Sequence, residues 1–372
     1  MERPGSAEEV ATLLASGRRA RAVGGATKLG WGSPPTRFPL TPPELEISTA
    51  ALDSIEHNEG DLTAVLAAGV PVSRAQATFE KTGQRLCLDS PDVAARATIG
   101  GIVATGDSGP LRHRFGAVRD LILGVRVALP DGTVARAGSK VIKNVAGYDL
   151  AKLMCGALGT LGVVCEVTLR LHPRPQGHVT AVGRSADAGA LARTARALAA
   201  EPLELESLDI ALDRGEGEVL ARAAGHAAPE SAAAAVAVMQ AGGLDTETVE
   251  DDEPLWDAQR ERQRPAPGGA VARVSALPSA LEQVLAAAPS AVARAGLGLA
   301  WVRIPAEPPA LAELRERVAP APCVLLDAPE AMRSAVDPWG VSPGPELELM
   351  RRLKARFDPE GVCSAGRYVG GI

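Results

Sequence analysis

The chain has 372 residues, 46% hydrophobic and 3% aromatic, with a formal net charge of -6. That length allows two domains with separate cores and that composition excludes a disordered chain, while an acidic balance without any dense Lys/Arg tract removes the electrostatic reason for binding nucleic acid. No stretch approaches the roughly 20 apolar residues of a membrane-spanning helix, and the first residues lack the apolar run of a secretory signal, so a cytoplasmic protein is expected.

Ser6 is placed to cap a first helix, with Glu9 at the reciprocal capping-box position, Val10, Leu13 and Leu14 on one face and Gly17 just past the end. A strand at 21–23 then runs into Gly24-Gly25-Ala26-Thr27-Lys28-Leu29, a strand-to-loop junction. Strands are expected at 55–57 and 62–67, followed by a helix over 71–82 with proline in its first turn and Gly83 at its end. The segment Ala97-Thr98-Ile99-Gly100-Gly101-Ile102-Val103-Ala104 reads as a second glycine loop, and 121–129 with 133–137 as a hairpin about Pro130-Asp131-Gly132. Next comes Lys143-Asn144-Val145-Ala146-Gly147-Tyr148-Asp149-Leu150, a polar turn entering a short helix over 150–155 that Asp149 is expected to cap. Gly156, Gly159 and Gly162 precede an apolar strand at 163–169.

His172-Pro173-Arg174-Pro175 reads as a linker, because successive prolines break both helix and central strand. From there to residue 335, helical patterns such as 187–200 and 279–288 alternate with short strands at 208–212, 271–276 and 297–304, which suits an α+β layer of helices on one sheet. A Pro/Gly stretch over 337–344 leads to a last amphipathic helix at 346–357, and no internal repeat is present. The five cysteines, Cys87, Cys155, Cys165, Cys323 and Cys363, include no C-x-x-C, which argues against an iron-sulfur or zinc site; no metal is expected, and the thiols read as reduced, buried small side chains.

A dinucleotide with a diphosphate needs several N–H donors converging on it with no side chains in the way, which glycine loops supply. The Gly24 and Gly100 loops fit that need, with the Thr27 and Thr98 hydroxyls as added donors. Each alone is more often a plain tight turn between strands; together with the block from Lys143 to Val164 they point to FAD. No G-x-G-x-x-G opens a helix after the first strand, which disfavours a Rossmann site.

The order Ala22-Val23-Gly24-Gly25-Ala26-Thr27-Lys28-Leu29, Ala97-Thr98-Ile99-Gly100-Gly101, Val118-Arg119-Asp120, the K-N-V-A-G-Y-D-L string from Lys143 and then Gly159-Thr160-Leu161-Gly162-Val163-Val164 resembles the PCMH-type FAD-binding domain of the vanillyl-alcohol oxidase family. Within it the chain is most similar to the FAD-binding subunits of bacterial glycolate oxidases. The resemblance implies a two-lobed FAD-binding domain over 1–175, a smaller α+β cap domain over 176–335, and a C-terminal helix and tail over 336–372 returning to the FAD domain. The tail resembles the family's in Phe357-Asp358-Pro359-Glu360-Gly361-Val362 and Ala365-Gly366-Arg367, with Ser364-Ala365-Gly366 where Asn-Pro-Gly is usual.

The resemblance also implies a noncovalent FAD. Its diphosphate would lie on the loop from Val23 to Leu29, and its ring near Gly147, Tyr148 and the stretch from Gly159 through Gly162 to Val163 and Val164. Ala97, Thr98, Gly100, Gly101, Ala104, Lys143 and Asn144 complete the expected contacts. Lys140 or Lys143 would raise the flavin potential as a nearby cation; a solvated Lys143, or one paired with Asp149, is the alternative. Tyr148 either stacks on the flavin or fills the core. His113, the one histidine near these loops able to tether a flavin, reads as a neutral hydrogen-bonding side chain among basic neighbours, and His172 as a linker residue.

Oxidising a 2-hydroxy acid needs a base for the hydroxyl proton and a cation or metal for the carboxylate. The family's catalytic dehydrogenases carry an H-x-G-D-G-N-x-H type string in the second domain; residues 177–330 here hold only His178 and His226. Arg273 and Arg303 are carboxylate-binding candidates, with ion pairing as the plainer reading. The catalytic residues stay unknown. The chain then reads as the FAD-binding subunit of a multi-subunit glycolate (2-hydroxy-acid) dehydrogenase, beside a catalytic flavin subunit and an iron-sulfur subunit, with peripheral membrane association through those partners. A stand-alone flavin dehydrogenase of a small hydroxy acid or sugar lactone, or an assembly subunit with a vestigial flavin site, are the alternatives.

Overall fold

The computed structural model describes residues 1–34, 43–91, 96–139, 149–342 and 344–372. Lys140, Lys143, Asn144, Gly147 and Tyr148 lie outside the described residues. Internal contacts divide the chain into two units, one of Met1–Ser108, Gly116–Arg174 and Val341–Ile372, the other of Gly109–Phe115 and Pro175–Gly340.

The first unit opens with α1 (Ala7–Leu14), where Ser6 Oγ accepts from the Glu9 N–H at 3.2 Å. The Glu9 carboxylate reaches back one residue further than a capping box requires, accepting from the Gly5 N–H at 2.8 Å. β1 (Ala20–Val23) pairs in parallel with β2 (Leu45–Ser48). β3 (Ile55–Asn58), β4 (Thr63–Ala67), α2 (Val72–Glu80) and β5 (Gln84–Arg85) follow.

The segment read as a second glycine loop is instead α3 (Ile99–Thr105). Thr98 Oγ1 accepts from the Gly101 N–H at 3.4 Å as its N-cap, and a Cβ on Gly100 would stand 2.6 Å from Ala68 Cβ. The glycines are there because the helix lies against the chain that leaves β4, a tertiary demand that outweighs their low helix propensity.

α4 (Arg112–Phe115) belongs to the second unit, although its sequence lies inside the first. α5 (Val118–Leu121), β6 (Ile122–Ala128) and β7 (Val134–Gly138) return to the first. The hairpin forms as expected, its turn closed by the Thr133 N–H on Asp131 Oδ1 at 2.9 Å. α6 (Leu150–Met154) has Asp149 at its N-cap position, but the carboxylate makes no cap; it pairs with Lys152 at 3.1 Å.

β8 (Val163–Arg170) lies at the centre of an antiparallel sheet of order β3-β4-β8-β6-β7. Its burial is nearly continuous because Leu66, Phe79, Ile99, Ile102, Leu121 and Leu169 fill this core. The expected linker starts as a strand, β9 (His172–Pro173), on β5.

The second unit contains β10 (His178–Ser185), α7 (Ala188–Ala200), β11 (Leu205–Asp213), β12 (Glu216–Ala224), α8 (Ala228–Ala241), β13 (Asp245–Val249) and α9 (Glu253–Glu261). β14 (Gly269–Ser275), α10 (Leu281–Ala287), β15 (Ser290–Arg294), β16 (Leu299–Pro305), α11 (Pro308–Val318), β17 (Cys323–Asp327) and α12 (Glu330–Ala335) complete it. Among the described residues its strands form one antiparallel sheet, β13-β10-β12-β11-β15-β16-β14-β17. Alternate residues such as Leu208, Ile210, Val219, Ala221 and Val302 pack under α7, α8, α10 and α11. The opposite face carries Thr180, Asp209, Arg222 and Arg294, and α9 covers part of it: the Trp256 indole donates to Thr180 Oγ1 at 2.9 Å, and Arg222 holds Asp252 at 2.7 Å. α13 (Pro345–Phe357) and the tail belong to the first unit.

Candidate functional site

Three stretches far apart in sequence meet in the first unit. The loop leaving β1 lies on the chain entering α3 so closely that a Cβ on Gly25 would stand 1.6 Å from the Arg96 carbonyl oxygen, and one on Gly24 2.3 Å from Thr98 Oγ1. Only glycine permits that approach. From the other side the Gly156 and Leu158 N–H groups donate to the Val103 and Ala104 carbonyls at 2.9 and 2.7 Å, so α3 is bonded to the segment that leads into β8.

The tail closes the ring of contacts. The Ala20 N–H donates to the Val362 carbonyl at 2.7 Å, and the Ser364 N–H to the Ala20 carbonyl at 2.9 Å. Arg367 donates to the carbonyls of Lys28, Leu29, Trp31 and Leu158 at 3.0 to 3.3 Å. Ala26 and Leu158, at φ 60° and 54°, are held in the left-handed region within these turns.

Two adjoining cavities open between these stretches. One is walled by Gly24, Gly25, Ala26, Thr27, Lys28 and Leu29, by Ala97, Thr98, Gly101 and Ala104 of the α3 region, and by Gly159, Ser364 and Arg367. The other is apolar, walled by Gly100, Gly101, Met154, Gly162, Val163 and Val164. Ala22, Gly24, Gly101, Ala104 and Gly159 border both. Fifteen of the residues singled out in sequence are thereby brought together; Val23 is buried at the end of β1 and borders neither cavity.

Residues not singled out as cofactor contacts also form the walls. Ala22, Thr49, Ala157 and Leu161 are among them. Ser364 and Arg367 had only the tail resemblance to mark them.

Among the described residues, the charged ones bordering the two cavities are Lys28 and Arg367. Lys28 is almost fully buried with Asp107, the two charges 3.1 Å apart. An apolar slot joined to a glycine-walled cleft with a buried ammonium and converging backbone suits a flat ring system bearing an anionic group. The residues present therefore fit FAD.

Burial, then Arg114, lowers the His113 pKa, and the ring packs against Gly296 in the second unit. All five cysteines are free, and burial pushes Cys155, Cys165 and Cys363 up to about 12, which keeps them unreactive thiols. Arg303 donates to the backbone carbonyls of Arg264 and Glu261 rather than pairing with a carboxylate. His178 lies 3.2 Å from the buried Glu206. Among the described residues no group of three or more His, Cys, Asp or Glu is placed to hold a metal ion, and no helix is long and apolar enough to cross a membrane.

Comparison with known proteins supports FAD as the cofactor. Residues 2–138 match the family model described as FAD binding domain, and FAD is the cofactor which that match supports. The glycolate oxidase subunit GlcE of Escherichia coli (strain K12) is 39% identical over 126 residues, 34% of this chain and 36% of that protein. The glycolate oxidase subunit GlcD of Bacillus subtilis (strain 168) is 33% identical over 198 residues, 53% of this chain and 41% of that one. A D-lactate dehydrogenase of Archaeoglobus fulgidus is 31% identical over 176 residues, covering 46% and 38%. The chain thus spans less than half the length of each of these relatives. Two solved structures of alkyldihydroxyacetonephosphate synthase match 97% of this chain with TM-scores of 0.67 and 0.70, at 15% and 14% identity and over 74% and 75% of their own length; they share the fold.

Proposed function

We propose that this chain is the FAD-binding subunit of a multi-subunit glycolate, or related 2-hydroxy-acid, dehydrogenase. Its flavin accepts or relays electrons from oxidation of the substrate CH–OH group to an iron-sulfur partner, beside a catalytic flavin subunit. The observation that carries the reading is the meeting of Gly24–Leu29, the α3 segment and Gly159–Val164 on one cleft, within a chain whose residues 2–138 match an FAD binding domain.

In this reading residues 1–175 are the two-lobed FAD-binding domain, 176–335 the cap and 336–372 the returning helix and tail. The loop from Val23 to Leu29, with Ala97, Thr98, Gly100, Gly101 and Ala104, receives the dinucleotide. Gly159, Gly162, Val163 and Val164 line the ring. Bound FAD supplies the electron acceptor; the chain's own part is to hold it through main-chain donors and to exclude water with the Met154, Val163 and Val164 wall. The complex works in the cytoplasm, reaching the membrane through its partners.

A second reading, a self-sufficient flavin dehydrogenase of a small hydroxy acid, is favoured by the similarity to D-lactate dehydrogenases and to a D-2-hydroxyglutarate dehydrogenase of Stutzerimonas stutzeri. Tagged chain purified alone and as a complex separates the two. We expect a flavin spectrum from both preparations and glycolate-dependent dye reduction only from the complex. Bleaching of the lone chain's flavin by glycolate or D-lactate favours the second reading, and a colourless lone chain and complex overturns both.

A further inference from the structure

Among the described residues of the first unit, the buried Lys28 and the part-buried Lys354 are satisfied in opposite ways. Lys354 Nζ donates to the Thr160 carbonyl at 2.7 Å, to Asp358 Oδ2 at 2.5 Å and to the Cys363 carbonyl at 3.0 Å, which uses all three ammonium hydrogens. Lys28 Nζ, on a side chain only 4% exposed, has no hydrogen-bond acceptor. Asp107 Oδ2 lies 3.1 Å away as a counter-charge, also without a hydrogen bond of its own, and the Trp31 ring centroid lies 5.9 Å from the ammonium.

A buried ammonium with uncommitted hydrogens is a costly arrangement that a structural ion pair normally avoids. Lys28 sits on the wall of the cleft, and Arg367, the other cation there among the described residues, spends its donors on four backbone carbonyls. Asp107, just after the C-cap of α3, accepts the Ser108 N–H on its other oxygen at 3.0 Å, which fixes it, whereas no hydrogen bond fixes the ammonium at the end of the four-carbon stem of Lys28.

We propose that Lys28 is the cation that binds the cofactor's diphosphate in this cleft, and that Asp107 is an internal counter-ion which holds the ammonium in reserve until the phosphates displace it. The inference rests on the FAD reading and deepens it: the cleft selects a phosphorylated flavin over a neutral one through one side chain. Asp107 is a positioning residue that competes with the ligand.

The test is the dissociation constant of FAD and of riboflavin, by flavin fluorescence, for the full chain stripped of flavin. Wild type, Lys28→Met, Asp107→Asn and the double variant are compared, with thermal melting of each as a control for folding. Because a charge-assisted hydrogen bond contributes about 1.5–3 kcal/mol, Lys28→Met should weaken FAD binding by about tenfold to a hundredfold and leave riboflavin unchanged. The double variant should be as weak as Lys28→Met although its buried charges are balanced, and Asp107→Asn should bind FAD as tightly as wild type or more tightly. Recovery of wild-type FAD affinity in the double variant, or equal loss of FAD and riboflavin in Lys28→Met, makes the pair merely structural and overturns the proposal. Failure of the wild type itself to bind FAD overturns the reading on which it rests, and the inference with it.

Discussion

Arg367 donates its guanidinium to the Lys28 carbonyl at 3.0 Å across 339 positions of sequence. The same group holds the Leu29, Trp31 and Leu158 carbonyls, so one side chain fixes the outer edge of the first glycine loop against the turn before β8. Arg367→Ala removes the guanidinium from all four carbonyls, of which that of Lys28 keeps the Trp31 N–H as donor, and should cost about 2–3 kcal/mol in urea unfolding. Because the loop edge is then free, FAD should be released faster than from wild type in stopped-flow displacement. Lysine at this position cannot reach four acceptors from a point charge and should rescue only part of the loss. Unchanged stability and release in Arg367→Ala would mean the clamp has no bearing on the loop.

The glycines of the site should not be equivalent. Gly25→Ala places its Cβ 1.6 Å from the Arg96 carbonyl oxygen, a backbone atom that cannot turn aside, so the loop must leave α3. Gly159→Ala meets nothing nearer than Ser364 Oγ at 3.5 Å and carries only the strain of its φ of +76°, about 1–2 kcal/mol. The expected order is loss of FAD binding in Gly25→Ala and a modest fall in melting temperature with FAD retained in Gly159→Ala. Isothermal titration with FAD on both variants checks it, and the reverse order refutes the packing argument.

What the sequence shows and what it hides divide along the range of the interactions. Ser6 with Glu9, and Asp131 in its turn, act on backbone groups within a few residues and are legible from spacing. Gly24 and Gly25 are legible only in company, because a doubled glycine after a strand is by itself a plain tight turn and gains meaning from Gly100, Gly101 and the block from Lys143 to Val164. The helical state of α3 is not: Gly100 and Gly101 are poor helix formers, and the reason they are tolerated is Ala68, more than thirty positions upstream. Asp149 stands where a cap belongs, yet Lys152 takes its carboxylate, a local competition that residue type alone does not decide. Ala22 and Thr49 border the cleft with side chains that carry no chemistry to notice.

Acid should destabilise the first unit through His172. Burial, then Arg170 and Arg85, lowers its pKa from 6.5 to about 4. The unfolded chain therefore takes up a proton that the folded one refuses, and stability falls as pH drops from about 6.5 towards 4, being fully present above that window. His113, in the second unit, is shifted in the same direction by burial and Arg114 and adds to the acid limb of the whole chain. Urea midpoints measured from pH 7.5 to 4.5 should decline less steeply for His172→Gln than for wild type. Parallel curves would show that His172 titrates normally in the folded chain.

The second unit contains a test of how charge is tolerated in a sheet. Arg294 and Asp209 are 2.7 Å apart with both side chains at 0% exposure, on neighbouring strands β15 and β11. The Arg294 guanidinium also lies 4.7 Å from the Trp301 ring centroid, and Gln259 donates to Asp209 Oδ2 at 3.4 Å. Removing one partner strands the other charge without water, so Arg294→Met alone or Asp209→Asn alone should cost about 3–5 kcal/mol. Neutralising both together removes the desolvation penalty along with the attraction and should cost much less than the sum of the two, a coupling that a double-mutant cycle in urea measures directly. Additive losses would mean that each residue is held by its own neighbours, Trp301 and Gln259, and that the pair itself contributes little.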